Sequence, residues 1–220
     1  MKVGILGSGN VGRTLGTALI ARGEDVMIGT RSPEAPGADT PLGKWLAGTD
    51  QKGRVASFPD TAAHGEVVIN ATAGTASLDA LALAGRGNLR GKILIDVANP
   101  LDFSGGMPPV LSVSNRDSLG EQIQRALPDV RVVKALNTVT ASLMVDPGQL
   151  AGGDHHLFIC GDDDAAKQEV SEMLSRWFGW RNILDIGDIT CARGAEMLLP
   201  LWIRLYSALG TPMFNFKLVR

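Results

Sequence analysis

A short apolar run, Lys2–Leu6 (KVGIL), passes straight into Gly7-Ser8-Gly9-Asn10-Val11-Gly12, a G-x-G-x-x-G spacing at a strand-to-helix turn. Each glycine answers a separate steric demand. Gly7 allows the tight turn out of the strand, Gly9 leaves room for a pyrophosphate to approach the backbone, and Gly12 lets the helix pack close to the sheet. The helix then opens with free N–H groups and a positive dipole end aimed at the phosphates. Val11, Leu15, Ala18 and Leu19 fall on one face at helical spacing, and Arg22-Gly23 supplies a terminal cation and a C′ glycine. A chain with 27 glycines can produce such a spacing by chance. The strand before it and the amphipathic helix after it are what mark a dinucleotide-binding turn.

The second strand, Asp25–Gly29, ends in Thr30-Arg31-Ser32. NAD-specific sites carry an Asp or Glu about 20 residues after the glycines, where it grips the ribose 2′-hydroxyl. Two hydroxyls flanking a guanidinium suit a 2′-phosphate instead, because Arg offers a fixed fork of donors to phosphate oxygens. An ordinary polar turn before Pro33 is the alternative. The expectation is NADP rather than NAD.

Further along, strand-like runs alternate with helices, the pattern of a parallel sheet. Strands are expected at Val55–Phe58, Val67–Ala71, Ile93–Val97 and Val130–Ala135, with helices at Leu78–Ala84 and Leu119–Leu127. The stretch from Pro33 to Lys52 reads as a surface loop with a helical turn near Leu42–Leu46. A second loop, Pro100–Ser114, is rich in Gly and Pro and could cover a site as a flap. After Thr138 the pattern changes. A strand at His156–Cys160, an acidic turn at Gly161–Asp164 capping a helix to Phe178, and a strand at Asn182–Asp185 follow. A last helix at Cys191–Leu209, kinked at Pro200, and an edge strand at Phe214–Val219 complete the chain. The fold expected is doubly wound α/β, a mostly parallel Rossmann sheet. Residues 1–140 would form the NADP-binding domain, and 141–220 a small helical and strand appendage completing the substrate cleft and a dimer contact.

Apolar residues at 45% and charged residues at 20% allow a full core. A formal net charge of −2 leaves no basic footprint for nucleic acid or an anionic membrane. The start has no basic segment leading into a signal-type apolar run, and Met197–Ile203 is too short to span a bilayer. Cys160 and Cys191 fit a reducing cytoplasm as small buried hydrophobes better than a disulfide.

No catalytic set stands out. His64 sits at a helix end, and adjacent His155 and His156 on extended chain would face opposite sides. Asp162, Asp163 and Asp164 lack calcium-loop spacing and read as a helix cap. Lys134, at the end of the sixth strand, either meets an acidic substrate or faces an edge. Trp202 and Tyr206, one helical turn apart, suit core or dimer packing more than a ring-stacking wall. Neither a catalytic residue nor a metal ligand is assigned.

The opening "KVGILGSGNVG", then "GTRS", "DVANPL", "VKALNTV", "CGDDD" and "ARGAEMLLPL" together resemble the coenzyme F420-dependent NADP oxidoreductase family over nearly the whole chain. That resemblance implies hydride transfer between NADP(H) and the deazaflavin F420 in a homodimer; another flat acceptor, such as a flavin or quinone, stays open. It implies Gly7, Ser8, Gly9, Asn10, Val11 and Gly12 on the pyrophosphate, and Thr30, Arg31 and Ser32 on the 2′-phosphate. Thr72 and Ala73 would lie against ribose and pyrophosphate, with Asn99, Asn137 and Val139 near the nicotinamide. Transfer between stacked rings needs alignment and exclusion of water more than an acid or base. The alternative is a non-catalytic NADP(H) redox sensor, and an open, mostly apolar slot beside the nicotinamide would separate the two.

Overall fold

The computed structural model describes residues 1–34, 36–50 and 52–219; Ala35 and Gln51, inside the expected 33–52 loop, and Arg220 lie outside the described residues. The chain begins with β1 (Lys2–Leu6), α1 (Asn10–Ala21) and β2 (Asp25–Gly29), followed by α2 (Pro41–Ala47) and β3 (Gly53–Ala56). Then come α3 (Phe58–His64), β4 (Val67–Asn70), α4 (Ser77–Ala84), α5 (Arg86–Leu89) and β5 (Ile93–Asp96). A two-stranded ribbon, β6 (Leu101–Asp102) with β7 (Val110–Leu111), occupies the expected flap. The second half comprises α6 (Leu119–Ala126), β8 (Arg131–Ala135), α7 (Ala141–Val145), β9 (Leu157–Cys160), α8 (Asp164–Phe178), β10 (Ile183–Asp185) and α9 (Ala192–Leu209).

Among the described residues the main sheet has eight strands in the order β10-β9-β8-β5-β4-β1-β2-β3, every pair parallel except β8 with β9. The first six strands of this sheet in chain order are thus a parallel Rossmann set, and β9 and β10 extend the same sheet beyond β8. Burial on both faces explains why β4 and β5 read as unbroken apolar runs rather than alternating ones. Leu15 and Leu19 of α1 join Trp177 of α8 in the core on one face, whereas Leu81 of α4, Ile123 of α6 and Ala192 of α9 belong to the core on the other. Among the described residues no helix is long and apolar enough to cross a membrane.

Three expectations need correction. The third strand is Gly53–Ala56, two residues earlier than read, because Ser57 caps a helix: its Oγ accepts from the Asp60 amide at 3.2 Å and donates to the Asp60 carboxylate at 2.6 Å. With Pro59 in the first turn, S-F-P-D is a helix start, and buried Phe58 belongs to that helix. The tail Phe214–Val219 forms no strand. It runs beside the approach to β9, touching it through the His156 amide, which donates to the Phe216 carbonyl at 2.9 Å. Lys134, finally, faces neither edge nor cleft; it is fully buried. The acidic turn does cap α8, since the Asp163 carboxylate accepts from the Ala166 amide at 2.9 Å.

Candidate active site

β1 pairs with β2 on one side and β4 on the other, so the connections leave in opposite directions and open a crevice at the strand ends. Two adjoining cavities fill it, and they share Ala71, Thr72 and Ala73. One, of about 470 Å³, is bounded by Gly7, Ser8, Gly9, Thr30 and Arg31. The other, of about 360 Å³, continues past Val11 and Asn99 to Leu101 and Phe103 on the ribbon.

The glycine turn behaves as its spacing demands. Gly7 has φ +113°, in the region that favours glycine, and a Cβ there would lie 2.5 Å from the Ala71 carbonyl oxygen. A Cβ on Gly12 would meet the Gly7 carbonyl oxygen at 2.0 Å, so the helix can sit this close only without one. Gly9 is different: a Cβ there would meet nothing within 4 Å. Open space lies directly over the first turn of α1, which no side chain caps. Its unpaired N–H groups and helix dipole fit a pyrophosphate. Arg13 braces the turn by donating to the Ser8 carbonyl at 2.5 Å, a contact the motif alone did not reveal.

Of the remaining expected residues, Asn10 and Ser32 are exposed and line neither cavity, although each adjoins a lining residue in sequence. Asn99 lines the crevice, and its side chain is held from behind: Nδ2 donates to the Asn137 carbonyl at 2.8 Å and Oδ1 accepts from Asn137 Nδ2 at 3.0 Å. One N–H of the Asn99 amide is thus committed and one is left. Asn137 also donates to the Ala195 carbonyl of α9 at 3.2 Å, so it acts under the floor rather than on it. Val139 is likewise buried in the core below. Leu101 and Phe103 of the ribbon line the slot and were not singled out from sequence, although the "NPLDF" run leaving β5 carries them.

Beneath the crevice lies a charged cluster. Lys134 Nζ is 2.8 Å from Asp96 and 2.8 Å from Glu196, and it donates to the Ala98 carbonyl at 2.6 Å. Burial alone would lower the Lys134 pKa, but the two carboxylates reverse that and hold it above the usual lysine value. Glu196 gains further donors from the Leu119 and Gly120 amides at the start of α6, at 2.9 and 3.0 Å, where the helix dipole favours negative charge. This ties α9 and α6 to the ends of β5 and β8.

His155 and His64 are held in hydrogen bonds away from the crevice. His155 Nε2 meets the Pro147 carbonyl at 3.0 Å and Nδ1 meets Asn215 Nδ2 at 2.8 Å, with the ring edge-on to Trp180. His64 Nε2 reaches the Asp25 carbonyl at 3.2 Å, away from the crevice. Burial pushes the Cys160 thiol up to about 12, leaving it a protonated, inert group. Trp202 stacks on Tyr206, centroids 5.8 Å apart, and packs against Phe214 of the tail.

A parallel sheet with a glycine turn, an uncapped helix start and a crevice at the switch point defines a dinucleotide-binding α/β protein. The family model for coenzyme F420-dependent NADP oxidoreductases matches residues 2–100. The F420-dependent NADP reductase of Methanothermobacter marburgensis is 32% identical over 93% of this chain and 92% of its own. A crystal structure from Arthrobacter sp. FB24, named as a candidate F420-dependent NADP-reductase, superposes with a TM-score of 0.96 at 56% identity, over 100% of both chains. The metalloreductase STEAP3 of Rattus norvegicus is 34% identical over 91% of this chain, which spans 38% of that longer protein. The chain belongs to the family of coenzyme F420-dependent NADP oxidoreductases. It is an NADP-dependent oxidoreductase.

Proposed function

We propose that the chain passes a hydride between NADP(H) and a flat redox acceptor, coenzyme F420 or a flavin- or quinone-like molecule, without an acid–base side chain. The observation that carries this is the second cavity. It continues the dinucleotide crevice as an open slot walled chiefly by Val11, Ala73, Val97, Leu101 and Phe103, whereas a redox sensor has no need of a vacant, apolar place for a second ring.

Bound in the crevice, the nicotinamide supplies or takes the hydride, two electrons with one proton, and the acceptor ring gains or loses the same. The chain's own residues bind and align. The Gly7–Gly12 turn and the α1 amides hold the pyrophosphate, and Arg31, Thr30 and Ser32 hold the 2′-phosphate. Asn99, steadied by Asn137, offers its remaining N–H toward the nicotinamide end. Phe103 and Leu101 keep water from the slot, and Val97 and Ala98 line its inner end. Alignment of this kind supplies several kcal/mol of barrier reduction with no proton transfer by the protein.

We read the working form as a homodimer in the cytoplasm, with residues 141–220 furnishing the contact. The exposed Met197, Leu201 and Leu209 of α9 support an apolar partner face. Light scattering at micromolar concentration tests the dimer, and a monomer mass contradicts it. The activity is tested by anaerobic stopped-flow mixing of NADPH and enzyme with F420, FMN and soluble quinones. Oxidation of NADPH matched one-to-one by reduction of an acceptor is expected. Binding of NADPH with no turnover on any of them would favour the sensor.

A further inference from the structure

Asn70 and Asp96, the last residues of β4 and β5, stand in register with Lys134, the penultimate residue of neighbouring parallel β8, so their side chains leave the sheet on the same face and meet. All three are sealed from solvent. Because each group is limited in what it can donate or accept, the polarity of the network can be followed atom by atom.

The Lys134 ammonium can only donate, and it gives to Asp96 Oδ2 at 2.8 Å. Asp96, a carboxylate in an ion pair, can only accept; its Oδ1 takes Asn70 Nδ2 at 2.8 Å and the Ala98 amide at 3.2 Å. The Asn70 amide must therefore turn its NH₂ to Asp96 and its carbonyl oxygen to Thr72. The backbone demands the same orientation independently, since the Thr72 N–H donates to Asn70 Oδ1 at 3.3 Å and an NH₂ could not accept it. Thr72 Oγ1 also lies 2.7 Å from that Oδ1. A carbonyl oxygen carries no proton, so the proton between them is the Thr72 hydroxyl's own. Ser77 Oγ, 2.8 Å from Thr72 Oγ1, completes the inner side of the cluster.

Thr72 lies where the two cavities join. With its single proton committed to Asn70, Thr72 Oγ1 accepts the Ser77 hydroxyl, which itself takes the second Asn70 N–H at 3.2 Å, and keeps one lone pair for a ligand. We propose that Asn70 and Asp96 are positioning residues that fix the Thr72 hydroxyl as a hydrogen-bond acceptor toward the crevice, where it receives a proton from a hydroxyl of the second, nicotinamide-side ribose. A phosphate oxygen, which also only accepts, is the wrong partner for it. Thr72 thus reads sugar rather than pyrophosphate, and the buried lysine guarantees that reading from two residues behind. This rests on the NADP reading of the crevice.

The experiment compares two ligands on the full-length protein by titration. NADPH carries the second ribose; 2′-phospho-ADP carries the adenosine, the 2′-phosphate and both linking phosphates but lacks that ribose. Thr72→Val keeps the shape without the hydroxyl and is expected to weaken NADPH about three- to tenfold, the span of one neutral hydrogen bond, with 2′-phospho-ADP unchanged. Thr72→Ser restores the hydroxyl and the affinity. Asp96→Asn, if it folds, weakens NADPH selectively in the same way; the Thr72 variants decide the matter if it does not. Unchanged NADPH binding in Thr72→Val, or equal losses for both ligands, overturns the proposal. Wild-type protein that binds neither ligand removes the NADP reading itself and this proposal with it.

Discussion

The carbonyl oxygen of Gly7 stands 2.0 Å from where a Cβ on Gly12 would be, so the glycine turn and α1 touch backbone to backbone. Gly9, three residues before Gly12, faces open space. The two glycines should therefore fail differently. Gly12→Ala forces turn and helix apart and is expected to cost about 1–3 kcal/mol of stability, the range for overpacking. Gly9→Ala should melt within about 0.5 kcal/mol of wild type, as surface changes do, yet lose nucleotide affinity because the methyl occupies the ligand's space. Thermal melts paired with NADPH titrations check both. Equal destabilisation by the two substitutions would contradict this division.

Lys134 neutralises two buried carboxylates, Asp96 and Glu196, each at 2.8 Å. Lys134→Met removes the cation and strands both, and breaking a buried pair in this way typically costs about 3–5 kcal/mol. Urea unfolding is expected to show a loss of that size. Arg125 and Asp117 make an exposed pair, whose removal should cost under about 1 kcal/mol despite the low Asp117 pKa. Losses of similar size at the two sites would mean the buried cluster is not the brace described.

The thiols give a pH test. The Cys160 pKa lies at about 12 against an ordinary 9.0, because burial disfavours the thiolate. Below 9.0 the unfolded and folded chains both keep the proton, so stability is undiminished; as pH rises from there toward 12 the unfolded chain ionises first and the fold weakens. Cys160→Ala should flatten that alkaline decline. At pH 8 alkylation of native protein should label the half-buried Cys191 faster than buried Cys160, and Ala at either position should leave kcat largely intact. Loss of turnover in either variant, with folding and NADPH affinity preserved, would revive an acid–base or thiol mechanism.

How far these features could be read from the chain varied with their range. The glycine turn and the Asp163 cap are local, and their residues announce them. The helix beginning at Phe58 is equally local, but "VASF" alternates like a strand and masks it; the Ser57–Asp60 capping pair is the signal that marks it. The reversal of β9 against β8 was not legible, since an apolar run of strand length carries no direction. The Asn70–Asp96–Lys134 row needed register between strands far apart in sequence. Each of the three residues taken singly looks like a polar residue near a strand end, and from sequence Lys134 reads as facing either a sheet edge or a substrate.

Blocking the slot separates alignment from binding. Ala73 is exposed between the two cavities, and Ala73→Trp is expected to cut turnover by at least about a hundredfold, as misplacing the reacting atoms by around 1 Å can do. Binding through the Gly7–Gly12 turn and Arg31 should persist, as a titration with 2′-phospho-ADP would register. Val139 is the wrong place for this experiment. It is buried in the core, and a larger side chain there would strain the fold before reaching the slot.

The crevice as an NADP site is tested most directly by calorimetric titration of wild type and Arg31→Ala with NADPH and with NADH. Arg31 is exposed beside Thr30, just past the end of β2, and on the proposed reading it would contact only a nucleotide that carries the 2′-phosphate. Loss of a hydrogen bond to a charged group costs about 1.5–3 kcal/mol, so Arg31→Ala should bind NADPH roughly ten- to a hundredfold more weakly and NADH as before. Equal losses for the two nucleotides, or none for NADPH, would contradict the assignment.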